Sequence, residues 1–216
     1  MGDGEDVRKT EGLAVTPDSP SRARQGREEP TGSHRFREEM VYVAVGANLG
    51  DREATLAAVI ERIGADPDLR VIAASSVFET APVGPEGQGA YLNAVLALRG
   101  DLAPYPLLQR LQAIEAVLGR DRVRQPVRWG PREVDLDILF FGRRVIDWVD
   151  LVVPHPRAHE RAFVMTPLAE IAPDFEHPVL GTRVADIAAS VADPDDVKAW
   201  PRPPGWPVLE KAAEPA

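Results

Sequence analysis

The chain has 216 residues, 44% of them apolar, with 34 acidic against 25 basic residues, a net charge of −9 and no cysteine. That length suits one folded domain with a sizeable core plus tails. The composition argues against a disulfide framework or a thiolate metal site, against a membrane span, since no apolar run approaches ~20 residues, and against a nucleic-acid partner, whose binding rests on phosphate neutralisation.

Residues 1–39 are polar, mixed in charge and without an apolar period, which reads as a disordered leader rather than a secretory signal. Together with the lack of cysteine this points to a cytoplasmic protein. Residues 40–45 form a short β-rich run that ends at Gly46-Ala-Asn-Leu-Gly50. Asp51 then stands at the N-cap of an amphipathic helix with Leu56, Val59, Ile60 and Ile63 on one face. Residues 71–79 read as a strand, 81–89 as a Pro/Gly-rich loop and 91–98 as another strand. Residues 104–118 form a second amphipathic helix, with Leu107, Leu108, Leu111, Ile114 and Leu118 in register and Gly119 at its end. An arginine-rich segment leads to a strand over 134–140, a hairpin-like return over 145–153, and a short helical region over 162–171. From residue 193 onward Pro194, Pro201, Pro203, Pro204 and Pro207 oppose regular structure, so 193–216 reads as a Pro-rich tail, with Trp200 and Trp206 as its anchors.

The domain thus spans 40–192. The order strand, helix, strand, strand, helix, strand is a split βαβ pattern. It predicts an α+β, ferredoxin-like βαββαβ core: an antiparallel sheet covered by helices, with an added hairpin and C-terminal helices. That order is silent on function.

Chemistry enters with Asp135-Leu-Asp137. On a strand these carboxylates share a face, roughly 7 Å apart, with Val134, Leu136 and Ile138 on the other. Two such charges repel unless a cation lies between them, and a hard divalent ion that shares its shell with phosphate oxygens suits them. A solvated edge strand is the competing reading. Arg120, Arg122, Arg124, Arg128 and Arg132 precede the strand, and arginine forks match phosphate oxygens. Lysine occurs only at Lys9, Lys198 and Lys211, so no P-loop or Schiff-base lysine lies in the core. Trp129-Gly-Pro131 inside the basic run fits either a segment that folds over a ligand or a simple anchored turn. His155-Pro-Arg-Ala-His159 lacks the glutamate of a zinc helix motif. Pro156 reads as a helix N1 residue, which places His155 at the N-cap, beside Arg161, for phosphate contact. Tyr91 and Asn93 alternate on one strand face. With Phe163 they fit a clamp for a flat heterocycle, or ordinary core.

These residues resemble the 6-hydroxymethyl-7,8-dihydropterin pyrophosphokinase family over residues 42–187. The most specific part is Arg128-Trp-Gly-Pro-Arg132 followed, after two residues, by Asp135-Leu-Asp-Ile-Leu139. Residues 45–49, 79–84, 91–93, 153–155 and 161–163 support it. The resemblance implies a ferredoxin-like fold. It also implies attack of the pterin hydroxymethyl oxygen on the β-phosphorus of ATP, with AMP leaving. Asp135 and Asp137 would hold two Mg²⁺ ions, with ATP as co-substrate. Arg122, Arg124, Arg132, His155 and Arg161 would grip the triphosphate, with Arg122 and Arg132 counted among the catalytic groups beside the aspartates. Gln112 and Ile138 would line the nucleoside end. Tyr91 and Phe163 would sandwich the pterin, Asn93, Thr80 and the Val83 backbone would read its edge, and Trp129 would close over both substrates. The expected protein is a cytoplasmic monomer that takes ATP and a pterin alcohol, with no nucleic acid or membrane partner. The chain departs from the family in about two extra residues between Gly119 and Arg128, which leaves Arg120 and Arg122 as alternatives for the first arginine, and in Ala47 and Ala81 where serine and proline are common. Two rival readings are another Mg-dependent phosphotransferase or nucleotidyltransferase built on the same Asp pair, and a non-catalytic ferredoxin-like binding module.

Overall fold

The computed structural model describes residues 39–82, 84, 87–120, 130–192 and 196–207. Val83, Arg122, Arg124, Arg128, Trp129, residues 1–38 and residues 208–216 lie outside it. Eight strands and four α-helices follow in chain order. They are β1 (Glu39–Ala47), α1 (Arg52–Gly64), β2 (Leu69–Ala74), β3 (Phe78–Thr80), β4 (Tyr91–Gly100), α2 (Pro104–Val117), β5 (Asp135–Phe141), β6 (Ile146–Asp147), β7 (Val152–Val153), α3 (Ala162–Ile171), α4 (Val184–Val191) and β8 (Val197–Ala199).

The main sheet runs β5-β1-β4-β3-β8, with β2 also on β4, and every pair is antiparallel. This is the ferredoxin-like order, with β6 and β7 as the separate hairpin. Alternation along the strands splits the core into two layers. Leu92, Ala94, Leu96 and Leu98 of β4 pack with Leu56, Val59 and Ile63 of α1 and Leu107 and Leu111 of α2. Val95 and Ala97 face the other way, toward Val164, Met165 and Leu168 of α3 and Ile187 of α4.

Local signals explain the helices. Asp51 caps α1 by accepting a hydrogen bond from Ala54 N at 3.0 Å. Pro104 opens α2, where its missing N–H has no partner to lose. Gly119, at φ +103°, leads the chain out of it.

Three expectations change. The strand read over 71–79 is two strands. At Ser75 the hydroxyl, not the backbone, accepts from Val95 N, while Ser75 N donates to Val95 O, both at 2.9 Å. The ladder is therefore interrupted between β2 and β3, a local competition that serine side chains favour. His155 does not cap a helix: a single 3-10 turn forms at Ala158–Glu160, and His155 Nδ1 accepts from Arg157 N at 3.2 Å. The segment after 193 is not free of structure either. β8 pairs with β3, and Trp200 N donates to Val77 O at 2.9 Å. Pro201, Pro203, Pro204 and Pro207 lie beyond this strand, where no ladder bond is demanded of them.

Among the described residues no helix is long and apolar enough to cross a membrane. Replacing Asp51 by alanine should destabilise the protein by about 1 kcal/mol, the typical value of an N-cap. Urea unfolding of the two forms would measure the difference.

Candidate active site

A cleft open to solvent lies on the α3 side of the sheet. Its floor is β1. Ala44 and Gly46 face it, and the strand register places Asp137 and Asp135 of β5 beside them on one flank. Asn93 of β4 lies opposite Gly46 on the other flank. Two small residues thus open a hollow between a carboxylate wall and an amide wall. Gly46 is needed for this: a Cβ there would stand 2.9 Å from Asn93 Oδ1.

The amide wall is internally fixed. Asn93 Nδ2 donates to the Thr80 hydroxyl at 2.7 Å, and both residues are buried. That leaves Asn93 Oδ1 toward Gly46. Tyr91, directly opposite Thr80 in the ladder, donates its hydroxyl to Gly130 O at 3.3 Å. Phe163, at the start of α3, carries the Arg161 guanidinium 5.5 Å from its ring centre. Tyr91, Asn93, Thr80 and Phe163 all line the cleft, as do Asp135, Asp137, Arg132, His155 and Arg161.

The carboxylate wall holds more negative charge than the sequence reading counted. Asp135 accepts from Arg132 at 2.6 Å and from Arg120. Arg120 also binds Glu115, a fully buried carboxylate on α2. Glu115 accepts from Leu136 N, between the two aspartates, at 2.8 Å. Asp137 lies deep in this group. Burial first, then Asp135 and Glu115, push its pKa up to about 7, a cost of charging on the order of 4 kcal/mol. Burial alone would lower Arg120, but Asp135 and Glu115 outweigh it and hold its pKa above the ordinary value. Arg161 moves down, through burial and the charge of Arg157. Burial and Arg161 depress His155 to about 4, so its ring is neutral at pH 7. Since Nδ1 accepts from Arg157 N, the ring hydrogen sits on Nε2 and can be donated to an anion.

This donor set fits a hard divalent cation. It offers carboxylate oxygens and no soft ligand, and one carboxylate cannot ionise cheaply without an added positive charge.

Gln112 and Ile138 are not brought to the cleft. The Ile138 side chain enters the opposite core layer, and Gln112 is half-buried on α2, which packs against that layer. Two residues that the sequence reading passed over matter here. Glu115 falls on the buried face of α2, one turn after Leu111, and a charge at such a position is a signal in itself. Asn48, in the turn after β1, accepts from Arg132 N at 2.8 Å and donates to Gly89 O at 3.4 Å, so it ties the Arg132 segment to the loop before β4.

The model of the family 7,8-dihydro-6-hydroxymethylpterin-pyrophosphokinase matches residues 42–173. The chain belongs to this family. A pyrophosphokinase of 2-amino-4-hydroxy-6-hydroxymethyldihydropteridine from Bacillus subtilis is 40% identical over 166 residues, covering 77% of this chain and 93% of that protein. One of the same name from Pseudomonas aeruginosa is 44% identical over 140 residues, covering 65% and 85%. The crystal structure of wild-type Plasmodium falciparum HPPK-DHPS shares the fold, with a TM-score of 0.56 at 13% identity. The match covers 73% of this chain and 45% of that one, so the chain spans less than half the length of that solved structure. The family match contains both walls of the cleft, from Thr80 to Phe163.

Two outcomes follow from this geometry. A divalent ion that used Asp137 would have to displace its proton below pH 7, so apparent Mg²⁺ affinity should then fall by up to about tenfold per pH unit, and stay level above pH 8. Calorimetric titration of Mg²⁺ with a non-hydrolysable ATP analogue at several pH values would measure it. Gly46→Ala should push Asn93 from its place, and separate titrations of ATP and the pterin alcohol would show which ligand depends on that amide.

Proposed function

We propose that this chain transfers the pyrophosphoryl group of ATP to the hydroxymethyl group of 6-hydroxymethyl-7,8-dihydropterin and releases AMP, as a cytoplasmic monomer in folate synthesis. The observation that carries this reading is the union, in one cleft of a family member, of a paired-carboxylate wall with the Tyr91, Asn93, Thr80 and Phe163 wall. A plain phosphotransferase needs only the first wall, and a binding module needs no buried carboxylates that resist ionisation.

Tyr91 and Phe163 take the two faces of the pterin ring. Asn93, oriented by Thr80, reads its polar edge with the Val83 backbone. A buried amide with one N–H already committed to Thr80 discriminates strongly, because a wrong ring edge leaves its remaining N–H and its oxygen unpaired. Arg132, Arg161 and neutral His155 contact the triphosphate, with Arg122 and Arg124 joining them and Trp129 closing over the site. Asp135 and Asp137 hold two Mg²⁺ ions, which when bound neutralise charge on the phosphates. Gln112 and Ile138 receive no role.

The bond formed joins the pterin oxygen to the β-phosphorus. The bond broken joins that phosphorus to the oxygen that departs with AMP. The hydroxyl proton is lost to solvent. The chain's own contribution is to fix both reactants, orient the arginines and keep an uncharged floor at Ala44 and Gly46.

Chromatography of a mixture of protein, Mg²⁺, ATP and the pterin tests this. AMP and a pterin diphosphate should appear together, and neither should form when pterin or metal is left out. Asp135→Asn and Asp137→Asn should each lower turnover by about 10³-fold in a protein that circular dichroism shows to be folded. ADP or inorganic phosphate as the product would refute the reading.

A further inference from the structure

We propose that Trp206 is a positioning residue for the pterin-side wall, acting through Ser75 and β3 although it does not line the cleft itself. The proposal rests on the reaction assigned above to the same site.

Trp206 lies 33 residues beyond the end of the family match at residue 173. Its side chain is nonetheless 4% exposed and belongs to the core layer of α1 and α2. Its Nε1–H donates to Ser75 O at 2.8 Å in a buried hydrogen bond. Ser75 is where the sheet is interrupted. Four bonds tie Ser75 and Ser76 to other segments: the two with Val95, the one from Trp206, and Ser76 N donating to Glu170 of α3 at 2.6 Å. Three come from the core of the fold. The fourth is supplied by the C-terminal segment.

The break sets the course of β3. That strand has only three residues, too few to hold a direction by itself. Its last residue is Thr80, whose hydroxyl fixes Asn93. On its outer edge β3 is covered by β8, in register Phe78 to Ala199 and Thr80 to Val197. Just after β8, Trp200 is held at both ends. Its backbone N donates to Val77 O, and its indole donates to Glu53 at 2.8 Å. Arg52 lies 5.1 Å over that ring and donates to Glu79 of β3 and to Ala90 O, both at 2.9 Å. The C-terminal segment therefore braces β3 laterally at β8 and from the core side at Ser75. Pro201, Pro203 and Pro204 lie between the two anchors and reduce the entropy lost on docking.

The consequence is selective. β3 borders the pterin wall, whereas the carboxylate wall and Arg132 belong to β5 and the segment before it. Loosening Ser75 should disturb Thr80 and Asn93 and leave the phosphate side intact.

The test compares Trp206→Phe, which keeps the ring and loses the Nε1–H, with deletion of residues 201–216, in the full enzyme with Mg²⁺, ATP and the pterin alcohol. Trp206→Phe should raise the pterin KM by about fivefold, the worth of one hydrogen bond, with kcat and the ATP KM unchanged. The deletion should raise the same parameter further. Quenching of pterin fluorescence on binding, measured without ATP, should weaken by the same factor. An unchanged pterin KM in both variants would overturn the proposal. So would a parallel change in kcat and both KM values alongside a fall in melting temperature, which is what a purely structural role gives. If the wild-type protein binds pterin but makes no AMP, the assigned reaction fails, and the fluorescence titration still decides the role of Trp206.

Discussion

The structure depends on gathering three carboxylates at one end of a sheet. Asp135 and Asp137 share a face of β5, and Glu115 approaches from α2 to accept the Leu136 N–H between them. Left alone, such a group is costly, because each charge raises the cost of ionising the next. Arg120 and Arg132 offset Asp135 and Glu115 but do not suffice for Asp137, whose pKa stands near 7. For the reaction proposed, this imbalance would favour a cation that arrives with the substrate.

The rest of the fold serves to place a second wall opposite the first. The strand order sets β1 between β4 and β5. With Ala44 and Gly46 on the floor, side chains from both neighbours meet over open space. Asn93 reaches Gly46 closely, and Thr80 fixes the amide from β3. In the reaction proposed, a substrate held on the β4 side would present its reacting group toward the carboxylates on the β5 side. Positioning across β1 supplies the proximity that a reaction without a covalent intermediate requires.

Much of this was legible in the sequence, where local signals and tertiary demands agreed. The Asp51 cap, the apolar faces of α1 and α2, the alternation of β5 and the extent of α3 all follow from periodicity and capping chemistry. The shared face of Asp135 and Asp137 follows from the pleat alone. Where the reading failed, a particular side-chain or strand-edge contact decided. Ser75 breaks a strand because its hydroxyl meets Val95 N on β4. β8 forms because β3 offers it an edge. His155 turns instead of capping because its own Nδ1 takes the Arg157 N–H. Ile138 faces away from the cleft for the same reason that Asp137 faces into it, a consequence of the pleat that the sequence itself shows. Glu115 could have been flagged as a charge on a buried helical face, yet its partner at Leu136 is visible only in the fold.

The central claim is that both substrates occupy one cleft, on opposite sides of the Ala44 and Gly46 floor. The most direct measurement is a crystal structure with Mg²⁺, α,β-methylene-ATP and the pterin alcohol. The account predicts the pterin ring between Tyr91 and Phe163, its hydroxymethyl oxygen within about 3.5 Å of the β-phosphorus and in line with the leaving position, and Mg²⁺ on Asp135 and Asp137. A pterin bound elsewhere, or metal held by other residues, would contradict it.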